Sequence, residues 1–275
     1  MSNQQKKQLV YIYGLGYSGS TILNILLGAH PNIVGIGEFY ASFNEVEFSF
    51  GDRICSCGVE LPECEFWKQH QSLYQERKND SLGAWQGYKK IIDSFYENNP
   101  NKILIDSSKR RDYFRELYNK TQEDDSLELK VIYLLRDVRG FSVSLRKRRE
   151  NRGKWGNSFL YQLGWWHRQK KFKRVLEQIE IDFLQLGYEE LILKNTESLE
   201  YICDFLDLEQ SERLQQGPSK SSSHAISGNP MRTKSRKKEL KYDFKWFHDY
   251  GVNLSYSLLP FVAQWNEKEV YDNLR

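Results

Sequence analysis

The sequence predicts an α/β protein with a mostly parallel central sheet flanked by helices. Three observations carry this. Short apolar runs of strand character recur at 9–13, 102–105, 130–135 and 181–186. Helix-like segments at 84–96, 109–120 and 140–149 fall between them, and such alternation builds a parallel sheet with helices on both faces. The first run ends in glycines and leads into a dense aliphatic pattern at 21–27, which reads as strand, loop and buried helix.

Taken in order, the first strand is followed by Gly14-Leu15-Gly16-Tyr17-Ser18-Gly19-Ser20-Thr21 and the helix that these residues open. His30-Pro31 ends that helix, because proline cannot continue it, so His30 is read as structural. Residues 32–37 form a second strand, closed by Glu38. The KILI run at 102–105 gives a third strand and passes into Asp106-Ser107-Ser108-Lys109. KVIYLL at 130–135 gives a fourth, with Arg136 at its carboxyl end, the edge where open α/β sheets place ligands. A long helix rich in aromatic and basic residues is expected over 159–178, and an amphipathic one over 196–206. At 217–232 the pattern breaks into Gly, Pro and Ser, with a basic run after it, and a mobile, exposed basic loop is expected around 217–240. No internal repeat is visible, and 1–275 is read as a single domain.

With 14% aromatic and 39% hydrophobic residues the chain has enough apolar material for a core, which excludes wholesale disorder. The formal net charge is only +3, although Lys and Arg bunch at 146–152, 168–174 and 232–241. Local anion binding follows; nucleic acid is not expected as a partner. The polar start lacks the pattern of a secretory signal, and no apolar run reaches the ~20 residues of a membrane span, so a cytoplasmic protein without membrane contact is expected.

Cys55, Cys57 and Cys64 lie close together in CSCGVELPEC. Three thiols, with His70, would make a zinc site, but C-x-C-x6-C lacks the paired C-x2-C knuckles of such sites. A local loop staple or reduced thiols is the preferred reading, and no metal is expected. Cys203, inside an apolar helical pattern, is read as core.

The glycine loop bears three readings. It satisfies G-x-G-x-x-G, with Glu38 nineteen residues beyond Gly19, where a dinucleotide fold places its ribose-binding acid. An NAD(P)-dependent oxidoreductase is therefore one alternative. The loop also nearly matches G-x4-G-K-[ST], but with Ser20 in the lysine position, which disfavours an ordinary ATPase. A glycine turn that merely caps a buried helix is the third. In either ligand-binding case backbone N–H groups and the helix dipole attract a phosphate, and Ser18, Ser20 and Thr21 add hydroxyl donors suited to phosphate or sulfate oxygens.

Tyr17-Ser18-Gly19-Ser20-Thr21, then His30-Pro31, Gly37-Glu38 and Arg136-Asp137-Val138-Arg139-Gly140-Phe141-Ser142-Val143-Ser144, resemble in order and spacing the family of sulfotransferases that use 3′-phosphoadenosine 5′-phosphosulfate (PAPS). Asp106-Ser107-Ser108-Lys109, Gly228-Asn229-Pro230-Met231-Arg232, CSCG…CEFW and GYEELI…LEYICDFLDL are similar to its bacterial branch, so the resemblance runs over most of the chain. It implies a P-loop-like three-layer fold and transfer of a sulfuryl group from PAPS to a hydroxyl or amine of a small-molecule acceptor, releasing PAP, without a metal.

By that resemblance the loop at Gly16, Tyr17, Ser18, Gly19, Ser20 and Thr21 holds the 5′-phosphosulfate, and Arg136 and Ser144 hold the 3′-phosphate. Arg232 is a further candidate for the same phosphate. Glu38 is the first candidate for general base; a histidine does this elsewhere in the family, and His224 in its serine-rich loop is the alternative. Where the family has Lys or Arg before Ser-Gly-[ST]-[ST], this chain has Tyr17. Another cation must then meet the developing charge, and Lys109 is the first choice. A nucleotide-binding regulator without catalysis is the reading that Tyr17 would favour. Trp155, Phe159, Trp165 and Trp166, interleaved with Arg148, Arg149, Arg152 and Lys154, would line an acceptor pocket, although such spacing also suits core. The acceptor and the oligomeric state are not legible.

Overall fold

The structure is a computed structural model that describes residues 7–44, 50–79, 81–179, 181–233, 240–271 and 273. Its five strands are β1 (Lys7–Tyr13), β2 (Ile33–Gly37), β3 (Ile103–Lys109), β4 (Leu127–Leu135) and β5 (Phe183–Gly187), in one sheet of order β2-β3-β1-β4-β5. The helices are α1 (Ser20–Leu27), α2 (Phe39–Asn44), α3 (Gln71–Lys78), α4 (Ala84–Asn98), α5 (Arg111–Gln122), α6 (Val138–Glu150), α7 (Ser158–Gln178), α8 (Tyr188–Leu193), α9 (Asn195–Phe205), α10 (Glu212–Gln215), α11 (Tyr250–Ser257) and α12 (Pro260–Val270). Strand alternating with helix is the expected α/β architecture. The chain divides into two compact units, the first comprising Met1–Tyr13, Thr21–Val131 and Gln210–Glu239, the second Gly14–Ser20, Ile132–Glu209 and Leu240–Arg275.

In the first unit β3 runs parallel to both β1 and β2. β2 is buried from end to end, β1 from Leu9 onward and β3 up to Ser108, as parallel strands covered on both faces must be, which is why they read as continuous apolar runs instead of alternating ones. Phe114 of α5 lies against Tyr11 and Tyr13 of β1, at ring-centroid distances of 5.6 and 4.5 Å. β3 continues beyond KILI through Asp106, Ser107 and Ser108 to Lys109, with the three polar residues 0–2% exposed.

The segment expected as an exposed loop is packed at its centre. Ser221, Ser223, Ala225 and Ile226 are buried. The backbone N–H of Ser222 donates to Gly28 O, that of His224 to Gly35 O at 2.7 Å, and that of Ile226 to Ile36 O at 3.1 Å. Backbone bonding to β2 satisfies groups that a serine-rich composition suggested would be left to water. The basic residues at 234–239 lie outside the described residues.

In the second unit α7 is central. Its Trp165 is fully buried and meets Trp265 edge-on at 5.2 Å, Gln162 donates to Val252 O of α11, and Tyr133 of β4 donates to Gln169 Oε1. Trp165 is thus core, whereas Trp155 is 88% exposed.

Candidate active site

In the second unit β4 ends at Leu135, and Arg136 follows, with 9% exposure. Its Nη1 donates to the carbonyl of Tyr17 at 3.0 Å and to Ser144 Oγ at 3.2 Å. Its guanidinium lies 4.8 Å over the Tyr188 ring, and Asp243 Oδ2 stands 3.9 Å from Nη2. The buried Nε has no hydrogen-bond partner among the described residues. A charged donor left unmatched in the interior is costly, and an anionic ligand would satisfy it.

The surface pair Arg136–Asp137, a bland alternative for this segment, does not form. Asp137 instead caps α6, accepting from the Arg139 backbone N–H at 2.7 Å, and also receives the Arg139 guanidinium, Asn266 and Tyr271. Burial alone would raise its pKa, but the Arg139 charge and these hydrogen bonds outweigh it and hold the carboxyl below its usual range. Asp137 thereby anchors the helix start that sets Arg136 and, two turns on, Ser144.

The glycine loop belongs to the same unit up to Ser20. Gly19 has φ +96°, and a Cβ there would sit 2.3 Å from the Tyr188 ring, so the loop requires glycine at this point. Tyr17 has φ +71°, an uncommon conformation for a residue with a side chain, with its carbonyl held by Arg136 and its ring edge-on to Phe141. Ser18 is buried, and its hydroxyl is engaged inside the loop, donating to Leu15 O at 2.6 Å. Tyr188 and Glu189 lie in the GYEELI motif but were given no individual role from the sequence. Glu189 Oε2 accepts from the Asp137 N–H at 3.0 Å, and burial, with the nearby Asp137 charge, pushes its pKa up to about 7.

In the first unit Glu38 follows β2, and its carboxylate is 2.5 Å from the ammonium of Lys109. The two residues proposed as base and cation are therefore ion-paired to one another. Glu38 does not cap the helix after it: the Tyr40 N–H donates to Asp106 Oδ2 at 2.9 Å and the Ala41 N–H to Ser108 Oγ at 3.0 Å. Asp106 and Ser108 thus accept from the first N–H groups of α2, so the Glu38 carboxylate is engaged by Lys109 and not by the helix start. Burial pushes the pKa of Asp106 up to about 6. Lys109 itself has φ +65°.

Gly228 comes close to the same carboxylate. A Cβ at this position would lie 3.2 Å from Glu38 Oε1 and 3.2 Å from Thr21 Oγ1, which puts the Thr21 hydroxyl of α1 beside the proposed base. The Asn229 N–H donates to Thr21 Oγ1 at 3.4 Å. Arg232 donates to Ile54 O at 3.0 Å and borders the cysteine-containing loop.

His224 is not a surface residue. Its ring is stacked on Phe66 at 5.4 Å, and its Nδ1 lies 3.2 Å from Cys64 Sγ and 3.8 Å from Cys55 Sγ. His224, the alternative candidate for the base, thus has its Nδ1 among thiols and not in open solvent. His70 does not join the thiols; it is buried beside Phe66 and Trp67, and burial lowers its pKa to about 4. None of the four cysteines forms a disulfide, so the loop is not stapled in that way.

The profile of the sulfotransferase domain matches residues 8–249. Comparison with curated proteins gives no match. Among solved structures, the sulfotransferase domain of the olefin synthase of Synechococcus PCC 7002 is similar at a TM-score of 0.54 and 18% identity, over 99% of this chain and 98% of that one. The sulfotransferase domain from the curacin biosynthetic pathway is similar at a TM-score of 0.54 and 18% identity, over 94% of this chain and 99% of that one. Among the described residues no helix is long and apolar enough to cross a membrane.

Proposed function

Because the chain belongs to the sulfotransferase domain family, we propose that it takes the sulfuryl group from PAPS, the donor that this family generally uses, and delivers it to a hydroxyl or amine of a small-molecule acceptor, releasing PAP. The family match sets aside the dehydrogenase reading of the same glycines. The observation that carries the donor assignment is the buried Arg136, whose Nε is unmatched while Nη1 spans the carbonyl of Tyr17 and the hydroxyl of Ser144. A guanidinium with donors to spare at the end of β4 suits a phosphate, which it can grip in a fork.

In this reading the chain's own residues take the following roles. Gly16 to Thr21 present backbone N–H groups, and Ser20 and Thr21 their hydroxyls, to the 5′-phosphosulfate at the start of α1, while the Ser18 hydroxyl holds the loop itself. Arg136 and Ser144 take the 3′-phosphate. Glu38 accepts the acceptor's proton as its oxygen or nitrogen bonds to sulfur and the bond between sulfur and the bridging phosphate oxygen breaks; the electron pair leaves with PAP. Lys109, ion-paired to Glu38, supplies the positive charge that Tyr17 cannot. In-line transfer of this kind asks for positioning and electrostatics, with no covalent intermediate and no metal in the step.

Calorimetric titration with PAP, ADP and NAD in parallel, followed by PAP release from PAPS across a panel of small alcohols, phenols and amines, tests the proposal. PAP is expected to bind tightest and to appear only with an acceptor present. Preference for NAD, or equal affinity for all three, would overturn it.

A further inference from the structure

Four residues that the transfer reaction does not use come together in the first unit. Cys55 and Cys57 leave a short chain reversal, Cys64 follows a single helical turn at Leu61–Glu63, and His224 arrives from a segment 160 residues further along the chain. One ligand atom from each lies within 4.8 Å of every other. Cys55 and Cys64 are fully buried, and Cys57 and His224 partly so.

The spacing is that of ligands around one ion. A tetrahedral zinc with Zn–S of about 2.3 Å and Zn–N of about 2.0–2.1 Å requires S···S edges of about 3.8 Å and S···N edges of about 3.6 Å. Here Cys57 Sγ and Cys64 Sγ are 3.7 Å apart, and Cys64 Sγ and Cys55 Sγ 3.6 Å. The edges from His224 Nδ1 to Cys64 and Cys55, 3.2 and 3.8 Å, bracket the required value. A disulfide would bring two sulfurs to about 2.05 Å. Ligands divided between two irons of a cluster would spread wider than these do.

The surroundings are built to hold this arrangement. The Cys55 N–H donates to Val59 O and the Gly58 N–H to Cys55 O, with Gly58 at φ +101°, and this fixes the turn between the first two thiols. The Cys57 N–H points at Cys55 Sγ at 3.5 Å, which orients the two residues toward one another. Ser56, between the two thiols, bonds the residues flanking the histidine: its hydroxyl donates to Ser223 O at 2.9 Å and accepts from the Ala225 N–H at 2.8 Å. Trp67 Nε1 donates to His224 O at 2.7 Å.

We propose that Cys55, Cys57, Cys64 and His224 bind a single structural zinc ion. Three soft thiolates and one imidazole in a tetrahedron are the donor set and geometry of zinc, and with every position taken by protein the site is closed to substrate. Binding displaces the thiol protons to solvent and leaves the oxidation state of sulfur unchanged. The ion ties the loop at 55–64 to the strand-like segment at 222–226 that bonds to β2, and so steadies Gly228 beside Glu38. The inference does not depend on the sulfotransferase reading.

Elemental analysis of the full chain, purified without a metal-binding tag, is expected to give one zinc per chain, released by a mercurial in step with modification of three thiols. Exchange with Co(II) is expected to give the intense visible bands of a tetrahedral site and a thiolate charge-transfer band in the near ultraviolet. Cys57→Ser and His224→Ala should lose or distort that spectrum, whereas His70→Ala and Cys203→Ser should keep it. If the variants fail to fold, the wild-type stoichiometry and cobalt spectrum decide alone. Folded wild-type protein that takes up no zinc after reduction and dialysis, weak octahedral cobalt bands, brown iron-containing protein, or loss of metal with His70→Ala and not with His224→Ala would each overturn the proposal.

Discussion

Replacing Arg136 by alanine is expected to erase the preference for PAP over AMP without abolishing nucleotide binding. In the free protein Nη1 is occupied by Tyr17 O and Ser144 Oγ, so Nε, which has no partner among the described residues, and Nη2, 3.9 Å from Asp243, are the donors left for a ligand. A charge-assisted contact of this kind contributes about 1.5–3 kcal/mol, or roughly ten- to hundredfold in affinity. The substitution also frees the Tyr17 carbonyl, so PAP and AMP should both lose affinity by a shared factor, and the discriminating quantity is the ratio of their dissociation constants. Arg136→Lys restores charge without the fork and should fall between wild type and alanine. Titration calorimetry of both ligands against the three proteins at fixed ionic strength measures this. An equal loss for PAP and AMP would refute the assignment of Arg136 to the 3′-phosphate.

Glu38→Gln should keep PAP affinity and lose on the order of 10²–10⁴ in single-turnover transfer, since only the proton acceptor is removed; near-native transfer would dismiss Glu38 as the base. Lys109→Ala should lower turnover at saturating PAPS by at least about tenfold, roughly 1.4 kcal/mol of barrier, and Tyr17→Phe by less. Normal transfer in Lys109→Ala alongside a dead Tyr17→Phe would assign the step to the phenol instead. Glu189 has a folded pKa of about 7 against an ordinary 4.5, so its contribution is fully present below about pH 4.5 and is lost as pH rises to about 7, with a ceiling of about 3 kcal/mol. Glu189→Gln keeps an acceptor for the Asp137 N–H and should therefore melt higher than wild type at pH 8, with the gap closing toward pH 5. A gap that does not change with pH would contradict the burial argument.

β1 to β4 were legible because parallel strands buried on both faces are written as short runs of Val, Ile, Leu and Tyr, whereas the half-buried β5 carries a weaker signal of the same kind. What the hydropathy hid is the polar end of β3. Asp106, Ser107 and Ser108 resemble a loop in composition, yet two of them bond the first N–H groups of α2, and no apolar periodicity encodes that task. The loop at 14–21, Glu38 and Arg136 were picked out as candidates from motif spacing, and each lies just beyond the end of a strand. Tyr188 and Glu189 escaped because their importance comes from contacts with residues about 50 positions earlier in the chain. His224 was noticed, but its surroundings were not. Serines around a lone histidine look like solvated loop until backbone bonds to β2 and a cluster of thiols from another part of the chain bury it. Proximity of Cys55, Cys57 and Cys64 was visible, but the fourth member was misjudged as His70, the histidine nearest in sequence.

The way Arg136 is held in the free protein bears on how fast and how cleanly a ligand is met. An arginine side chain has about 2 kcal/mol of rotamer entropy to lose on being fixed. Here one end of the guanidinium is already clamped between a backbone carbonyl and a serine hydroxyl, and its face rests on the Tyr188 ring. Most of that ordering therefore belongs to folding and not to capture, leaving association with little conformational searching at this position. Ser144 acquires a second significance from the same geometry: beyond any bond of its own to phosphate, it acts as a detent on the arginine. Taking its hydroxyl away would loosen the grip through disorder, a loss visible in the entropy of binding before it is visible in the enthalpy.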